Sequence, residues 1–230
     1  MTRRFWMGLA AAASAASAAD RFKGYTDLFP KGSMDQWEVI GDGYWHMMRD
    51  GTLSGGRDLR KTGPDAKWIE TPSAYRAWRD TQSWLYTKRN DYGQFDLHVE
   101  FWLRNCGNSG VSIRDTSPAQ YAVIAPVDFK KTPSKIGYEI QINNKYPDPH
   151  PTGSIYTFVD AKVGAQVDDD WNEMDIESRN EMIRVRLNGQ IVAEHAGDPA
   201  RSKTGPLGLQ LHDQYSVCMF RNVKIREMKP

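Results

Sequence analysis

The sequence predicts an all-β protein, an antiparallel β-sandwich of jelly-roll kind, on three observations. Short alternations of apolar and polar residues recur along most of the chain, the period at which successive side chains reach opposite faces of a strand. Turn signals separate these alternations, and amphipathic helical periodicity is scarce. Trp, Tyr and Phe together make up 11% of the residues, with eight Trp among them, a composition that suits strands and supplies a sandwich with much of its buried area. One domain of this class commonly fills 230 residues, and no internal repeat or linker divides the chain.

The first 19 residues read as an export signal rather than as part of the fold. Arg3 and Arg4 precede Phe5-Trp6-Met7-Gly8-Leu9 and an alanine-rich run to Ala19, with small-x-small cleavage sites at its end. The arginine pair and the weakly hydrophobic core look like a twin-arginine signal, with an ordinary secretory signal as the near competitor. The expectation is a periplasmic or secreted protein whose single domain spans 20–230. No later stretch approaches the roughly 18 apolar residues that cross a bilayer.

The expected strands follow in order. Trp84-Leu85-Tyr86-Thr87 is a short strand, and Asp91-Tyr92-Gly93 is a turn. Residues 95–104 form a long strand with Leu97, Val99, Phe101 and Leu103 on one face and His98, Glu100, Trp102 and Arg104 on the other. Strands around Val111 and Tyr138 come next, then one at 153–157. Residues 182–187 run into Asn188-Gly189, the strongest short hairpin signal in the chain, and 190–194 return. Segments 207–211 and 217–225 finish the sheets. Residues 60–80 and 116–135 interrupt the pattern; Ser73 to Trp78 fits a short helix, and the aromatic and proline content of these stretches suggests ordered flaps.

A formal net charge of +1 removes the general electrostatic case for nucleic acid or an anionic membrane as partner. Cys106 and Cys218 fit either a bridge to the final strand or two free thiols, and their spacing is no zinc motif. Asp168-Asp169-Asp170 lacks the glycine and glutamate spacing of a calcium loop and reads as a solvated turn. His98, Glu100 and Arg104 read as a solvated cross-strand charge set. His46, His150 and His195 have no partner visible in sequence.

The most informative stretches are Gly107-Asn108-Ser109-Gly110-Val111-Ser112-Ile113-Arg114 and Gly137-Tyr138-Glu139-Ile140-Gln141-Ile142. In the second, Tyr138, Ile140 and Ile142 share one face and Glu139 and Gln141 the other. In the first, Val111 and Ile113 oppose Asn108, Ser112 and Arg114. A sheet that buries one face and lines the other with amide, carboxylate and guanidinium groups suits a ligand rich in hydroxyls.

These two stretches belong to a longer ordered set. Tyr25-Thr26-Asp27-Leu28-Phe29, Trp37, Leu85-Tyr86-Thr87-Lys88 and Tyr92-Gly93-Gln94-Phe95-Asp96-Leu97 precede them. Thr152-Gly153-Ser154-Ile155-Tyr156, Trp171-Asn172, Leu187-Asn188-Gly189, Gly208-Leu209-Gln210-Leu211-His212 and Phe220-Arg221-Asn222-Val223 follow. The set resembles the 3-keto-disaccharide hydrolase family (DUF1080) over about 25–227. The resemblance implies a concanavalin-like jelly roll, in agreement with the strand pattern. Asp213 departs from it, standing where the family usually has glycine; the opening segment around 41–56 and the insertion at 60–80 are longer than usual.

The resemblance implies cleavage of glycosidic bonds in 3-keto glycosides. A ketone at C3 acidifies the C2–H, a base removes that proton, the enolate expels the C1 substituent by β-elimination, and water adds. Such a route needs a base, a stabiliser for the enolate oxygen and an acid for the leaving oxygen. Glu139 is the first candidate for base or metal ligand, His212 for acid, base or ligand, and Arg114 for the oxyanion or hydroxyl clamp. Asn108, Gln141 and Tyr156 would orient hydroxyls, and Trp102 and Trp171 would provide stacking surfaces. A divalent metal held by Glu139 or His212 is the one candidate cofactor.

The structural alternatives are plain. Glu139 could pair with Arg114, His212 could be a hydrogen-bonded structural residue, Trp171 could be core, and Arg221 could pin the final strand. A conventional glycosidase would need a second carboxylate beside Glu139, and none stands out. The rival function is a non-catalytic carbohydrate-binding module on the same jelly roll; either way the expected partner is an oligosaccharide or glycoside.

Overall fold

The computed structural model describes residues 21–57, 73 and 79–228. Among them, thirteen strands form two antiparallel sheets packed face to face. The strands are β1 (Thr26–Asp27), β2 (Trp37–Ile40), β3 (Gly43–Met47), β4 (Leu53–Arg57), β5 (Ser83–Thr87), β6 (Phe95–Leu103), β7 (Gly107–Ile113), β8 (Tyr138–Asn144), β9 (Asn172–Arg179), β10 (Met182–Leu187), β11 (Gln190–His195), β12 (Leu207–Leu211) and β13 (Cys218–Glu227). One sheet runs β11-β10-β9-β6-β13-β4-β3, with β1 also paired to β13; the other runs β2-β5-β12-β7-β8. Final strands thus lie between early ones, β13 between β6 and β4 and β12 between β5 and β7, which is the interleaving of a jelly roll. The sole described α-helix is α1 (Pro133–Ile136), a single turn.

Alternation decides which side of each strand enters the core. Phe95, Leu97, Val99, Phe101 and Leu103 of β6 meet Val111 and Ile113 of β7, Tyr138, Ile140 and Ile142 of β8, and Leu207, Leu209 and Leu211 of β12 in one apolar cluster. Each such side chain contributes roughly 1.5–3 kcal/mol by leaving water. The β10–β11 hairpin closes through Asn188 and Gly189 with φ of 48° and 80°, and Leu187 faces Gln190, as a two-residue turn with both central residues left-handed requires.

Two expectations are corrected. Residues 153–157 make no strand; they run beside β8 with isolated bridges at Ile155, because Gly153 and Thr157 take positive φ and curl the chain. His98 and Glu100 are not a solvated set. His98 is fully buried, its Nδ1 2.6 Å from Asp175 Oδ1, beneath the Phe22 ring. Glu100 accepts from Arg221 Nε and Asn222 Nδ2 at 2.6 Å each; burial works against its charge, but His98, Arg221 and Asn222 hold it down at about 2. Arg104 alone of the three is exposed. Of the two readings for the cysteines, the structure has free thiols, Cys218 buried and Cys106 exposed. Residues 1–19, and most of 60–80 including 74–78 of the short helix expected at 73–78, lie outside the described residues. No helix among the described residues is long and apolar enough to cross a membrane.

Candidate functional site

The outer face of the five-stranded sheet carries the polar half of the alternation. On β8 and β7 the register sets Glu139 against Ser112, Gln141 against Gly110 and Asn143 against Asn108. On β12, Gly208 lies beside Ser112, and Gln210 beside Trp84 of β5. The Glu139 carboxylate reclines across β7, where a Cβ on Gly110 would come within 2.9 Å of its Oε1; the missing side chain leaves it room. Burial pushes the Glu139 carboxyl up to about 8, the nearby Gln210 amide pulling against this and the Asp148 and Asp115 charges adding to it.

Two segments wall this floor. Residues 115–135 fold back as a flap, latched by Asp115, which accepts from Tyr86 OH at 2.9 Å, Ser117 N at 2.9 Å, Ser117 Oγ at 2.7 Å and Ala119 N at 2.7 Å. Ala119 and Ala122 then pack on the Trp84 and Tyr86 rings. On the other margin, 145–157 bonds along β8: Gln141 N donates to Ser154 O and Tyr156 N to Glu139 O, both at 2.9 Å. Between them lies a cavity of about 330 Å³, within the range of small-molecule sites.

Five of the eight residues expected at a site line this cavity: Asn108, Glu139, Gln141, Tyr156 and His212. Asn108 Oδ1 and both amide atoms of Gln141 are buried with no hydrogen-bond partner, while the Gln210 amide has Glu139 beside it and His212 Nδ1 has Asp213. Unpartnered groups of this kind cost about 1–3 kcal/mol each, and a ligand's hydroxyls would satisfy them. Tyr156 OH donates to Asp148 Oδ2 at 3.0 Å; burial and the Asp148 charge raise its pKa well above the phenol range. His212 Nδ1 stands 3.5 Å from Asp213 Oδ2, and the other Asp213 oxygen caps the turn through Tyr215 N and Ser216 N. That capping is the work done by the residue standing where glycine was expected.

Three expected residues lie elsewhere. Arg114 takes φ of 58°, which ends the alternation of β7 and swings its side chain away from the Glu139 face. It is 2% exposed, and its guanidinium donates to Ser178 Oγ and Asn180 O at 2.6 Å each, tying the two sheets together. Neither the clamp role nor the pairing with Glu139 has the geometry it needs. Trp102 donates through Nε1 to Asp169 O at 3.3 Å, and Trp171 lies under the Arg221 guanidinium at 4.0 Å. Trp102 and Arg221 stand on the eight-stranded sheet, and Arg221 pins β13 to β6 through Glu100.

The cavity adds Gln82, Phe129, Asp148 and His150 to the lining, none singled out by sequence. Gln210 was legible from parity, since Leu207, Leu209 and Leu211 point inward; Asp148 and His150 sit on an irregular segment with no period to read. No three His, Cys, Asp or Glu side chains among the described residues converge to hold a metal ion. Glu139 and His212 alone fall short of the usual three or four protein ligands. A larger hollow of about 800 Å³ lies near Asp27, Met47, Arg49 and Arg221, but none of its lining residues has a buried unpartnered polar atom.

With this geometry in place, residues 24–226 match the model of the 3-keto-alpha-glucoside-1,2-lyase-like domain. Two candidate glycosyl hydrolases from Parabacteroides distasonis ATCC 8503 are similar in fold. One is 22% identical, with a TM-score of 0.63 over 89% of this chain and 99% of its own. The second is 20% identical, with a TM-score of 0.62 over 92% and 97%. The carbohydrate-binding module CBM66 of Bacillus subtilis is 13% identical, with a TM-score of 0.51 over 84% and 96%. No curated protein matches the chain significantly.

Proposed function

The chain belongs to the 3-keto-alpha-glucoside-1,2-lyase-like family, and from that premise we propose that it is an exported enzyme cleaving the C1–O bond of a 3-keto glycoside at the Glu139 cavity. The observation that carries this reading is a buried carboxyl, raised to about 8, among carboxamides with unfilled hydrogen bonds.

A C–H beside a ketone is a weak acid, so its removal near neutral pH calls for a base stronger than an ordinary carboxylate. Burial gives Glu139 that strength. Glu139 takes the C2 proton, and the C–H electrons form the enolate between C2 and C3. The Gln141 amide, which lines the cavity, then has charge-developing oxygen to bind, which replaces the role expected of Arg114. Collapse of the enolate makes the C1–C2 double bond and expels the C1 oxygen; water adding to that bond gives the hydrolytic product. Asn108, Tyr156 and His212 border the same space and would hold the ring hydroxyls. Export by way of residues 1–19 would bring the protein to glycosides outside the cytoplasm.

Purified protein incubated with 3-keto-trehalose, 3-keto-lactose and the unoxidised sugars tests the reading. Turnover restricted to the keto sugars is the expected result. Saturable binding of sugars without any product would replace the enzyme with a carbohydrate-binding module.

A further inference from the structure

His150 is the residue of the cavity that neither the fold nor the sequence pattern accounts for. Its backbone N–H donates to Asp148 Oδ1 at 2.9 Å, and its carbonyl accepts from Asn143 Nδ2 at 3.2 Å, so the residue is fixed against the end of β8. Its ring meets Tyr156 edge-on with centroids 4.4 Å apart. Nδ1 lies 2.5 Å from Asp160 Oδ1, and a carboxylate there makes Nδ1 the donor, leaving Nε2 as the nitrogen that can serve a ligand in the cavity. This is an imidazole oriented by a carboxylate, on the 145–157 wall of the cavity that Glu139, Asn108 and His212 also line.

Elimination from C1 needs a proton for the departing oxygen unless that oxygen leaves readily as an anion. Two neighbours are poorly suited to supply it. The Tyr156 proton is committed to Asp148, whose charge holds it on the phenol. Glu139 is occupied with the C2 proton. We propose that His150 is the general acid of the reaction described above, protonating the glycosidic oxygen through Nε2, with Asp160 as the residue that positions it; the proposal rests on the Glu139 reading of the cavity.

The balance closes without any further reactant. Glu139 gains the C2 proton, the C2–H electrons become the C1–C2 double bond, the C1–O pair leaves with the aglycone, and His150 gives up the proton that makes it an alcohol. In hydration the roles reverse: neutral His150 takes a proton from water attacking C1, and Glu139 returns its proton to C2.

Leaving-group dependence separates an acid from a residue that merely shapes the cavity. Methyl 3-keto-glucoside has a poor leaving group, and 4-nitrophenyl 3-keto-glucoside has one that departs unaided. In the first turnover, His150→Gln is expected to lose about 100-fold or more in the rate of aglycone release from the methyl substrate while staying within about threefold of the parent on the nitrophenyl one. In D2O the same variant should still exchange the C2 hydrogen of the methyl substrate, because Glu139 is intact, whereas Glu139→Gln should not. Asp160→Asn should show the same split at smaller amplitude, and it serves where His150→Gln does not fold. Equal losses on both substrates, or no loss on either, would overturn the assignment of His150 while the parent's turnover keeps the Glu139 reading. A parent protein that neither exchanges nor cleaves either substrate would overturn both.

Discussion

Glu139 illustrates how one side chain can couple chemistry to stability. Its carboxyl binds a proton more tightly in the folded chain, at about 8, than in the unfolded chain, where an ordinary glutamate titrates near 4.5. The folded state therefore holds more protons between those values, so this group's stabilising contribution is complete below about pH 4.5 and lost as pH rises to about 8. The loss is on the order of a few kcal/mol. Glu139→Gln keeps the shape and removes the titration. Thermal melts at pH 5 and pH 8 should fall with pH in the parent and change less in the variant; identical slopes would mean that the carboxyl is not buried as described. Glu139, Gln141 and Asn108 were legible because a strand sends alternate residues to one side. Arg114 obeyed the same parity on paper and failed because its positive φ, invisible in composition, reverses the direction of the side chain.

Among the elements, the flap at 115–135 is held to β5 mainly by one carboxylate and two rings. Tyr86→Phe removes one of four hydrogen bonds to Asp115 and keeps the ring that Ala119 and Ala122 cover. The expected cost is about 1–2 kcal/mol, read as a lower melting temperature and faster proteolytic cleavage within the flap; unchanged cleavage would remove Tyr86 from the latch. Regular elements were legible where hydrophobic alternation was clean, as in β6, β12 and the β10–β11 hairpin. β9 was missed although Met174 and Ile176 alternate inward, because Glu173, Asp175, Glu177 and Arg179 dominate its composition. The cavity walls were legible only as long interruptions. The contacts that order them, such as Asp115 to Tyr86, join residues 29 positions apart and follow no local rule.

At the scale of the whole molecule, two sheets are joined by apolar packing and by a few buried polar ties, of which Arg114 to Ser178 and Asn180 is the clearest. Arg114→Met should lower stability by about 2–4 kcal/mol, since it leaves the Asn180 carbonyl without this donor. That corresponds to roughly 5–10 °C in melting temperature for a domain of this size. Activity per folded molecule should be kept, because the guanidinium does not reach the Glu139 cavity; loss of kcat at full folding would return Arg114 to the mechanism. The jelly roll itself was legible from the number of alternating segments and the turns between them. Its strand order was not, because β12 and β13 find neighbours far away in sequence through shape rather than through any residue pattern.

If buried Glu139 is the base at C2, the pH dependence of kcat/KM on 4-nitrophenyl 3-keto-glucoside, which needs no acid, follows the ionisation of its carboxyl. The rate should climb about tenfold per pH unit and level above about pH 8, with Glu139→Gln flat and depressed throughout. A parent profile already level at pH 6, or a variant that keeps the parent's rate, would contradict this role of Glu139.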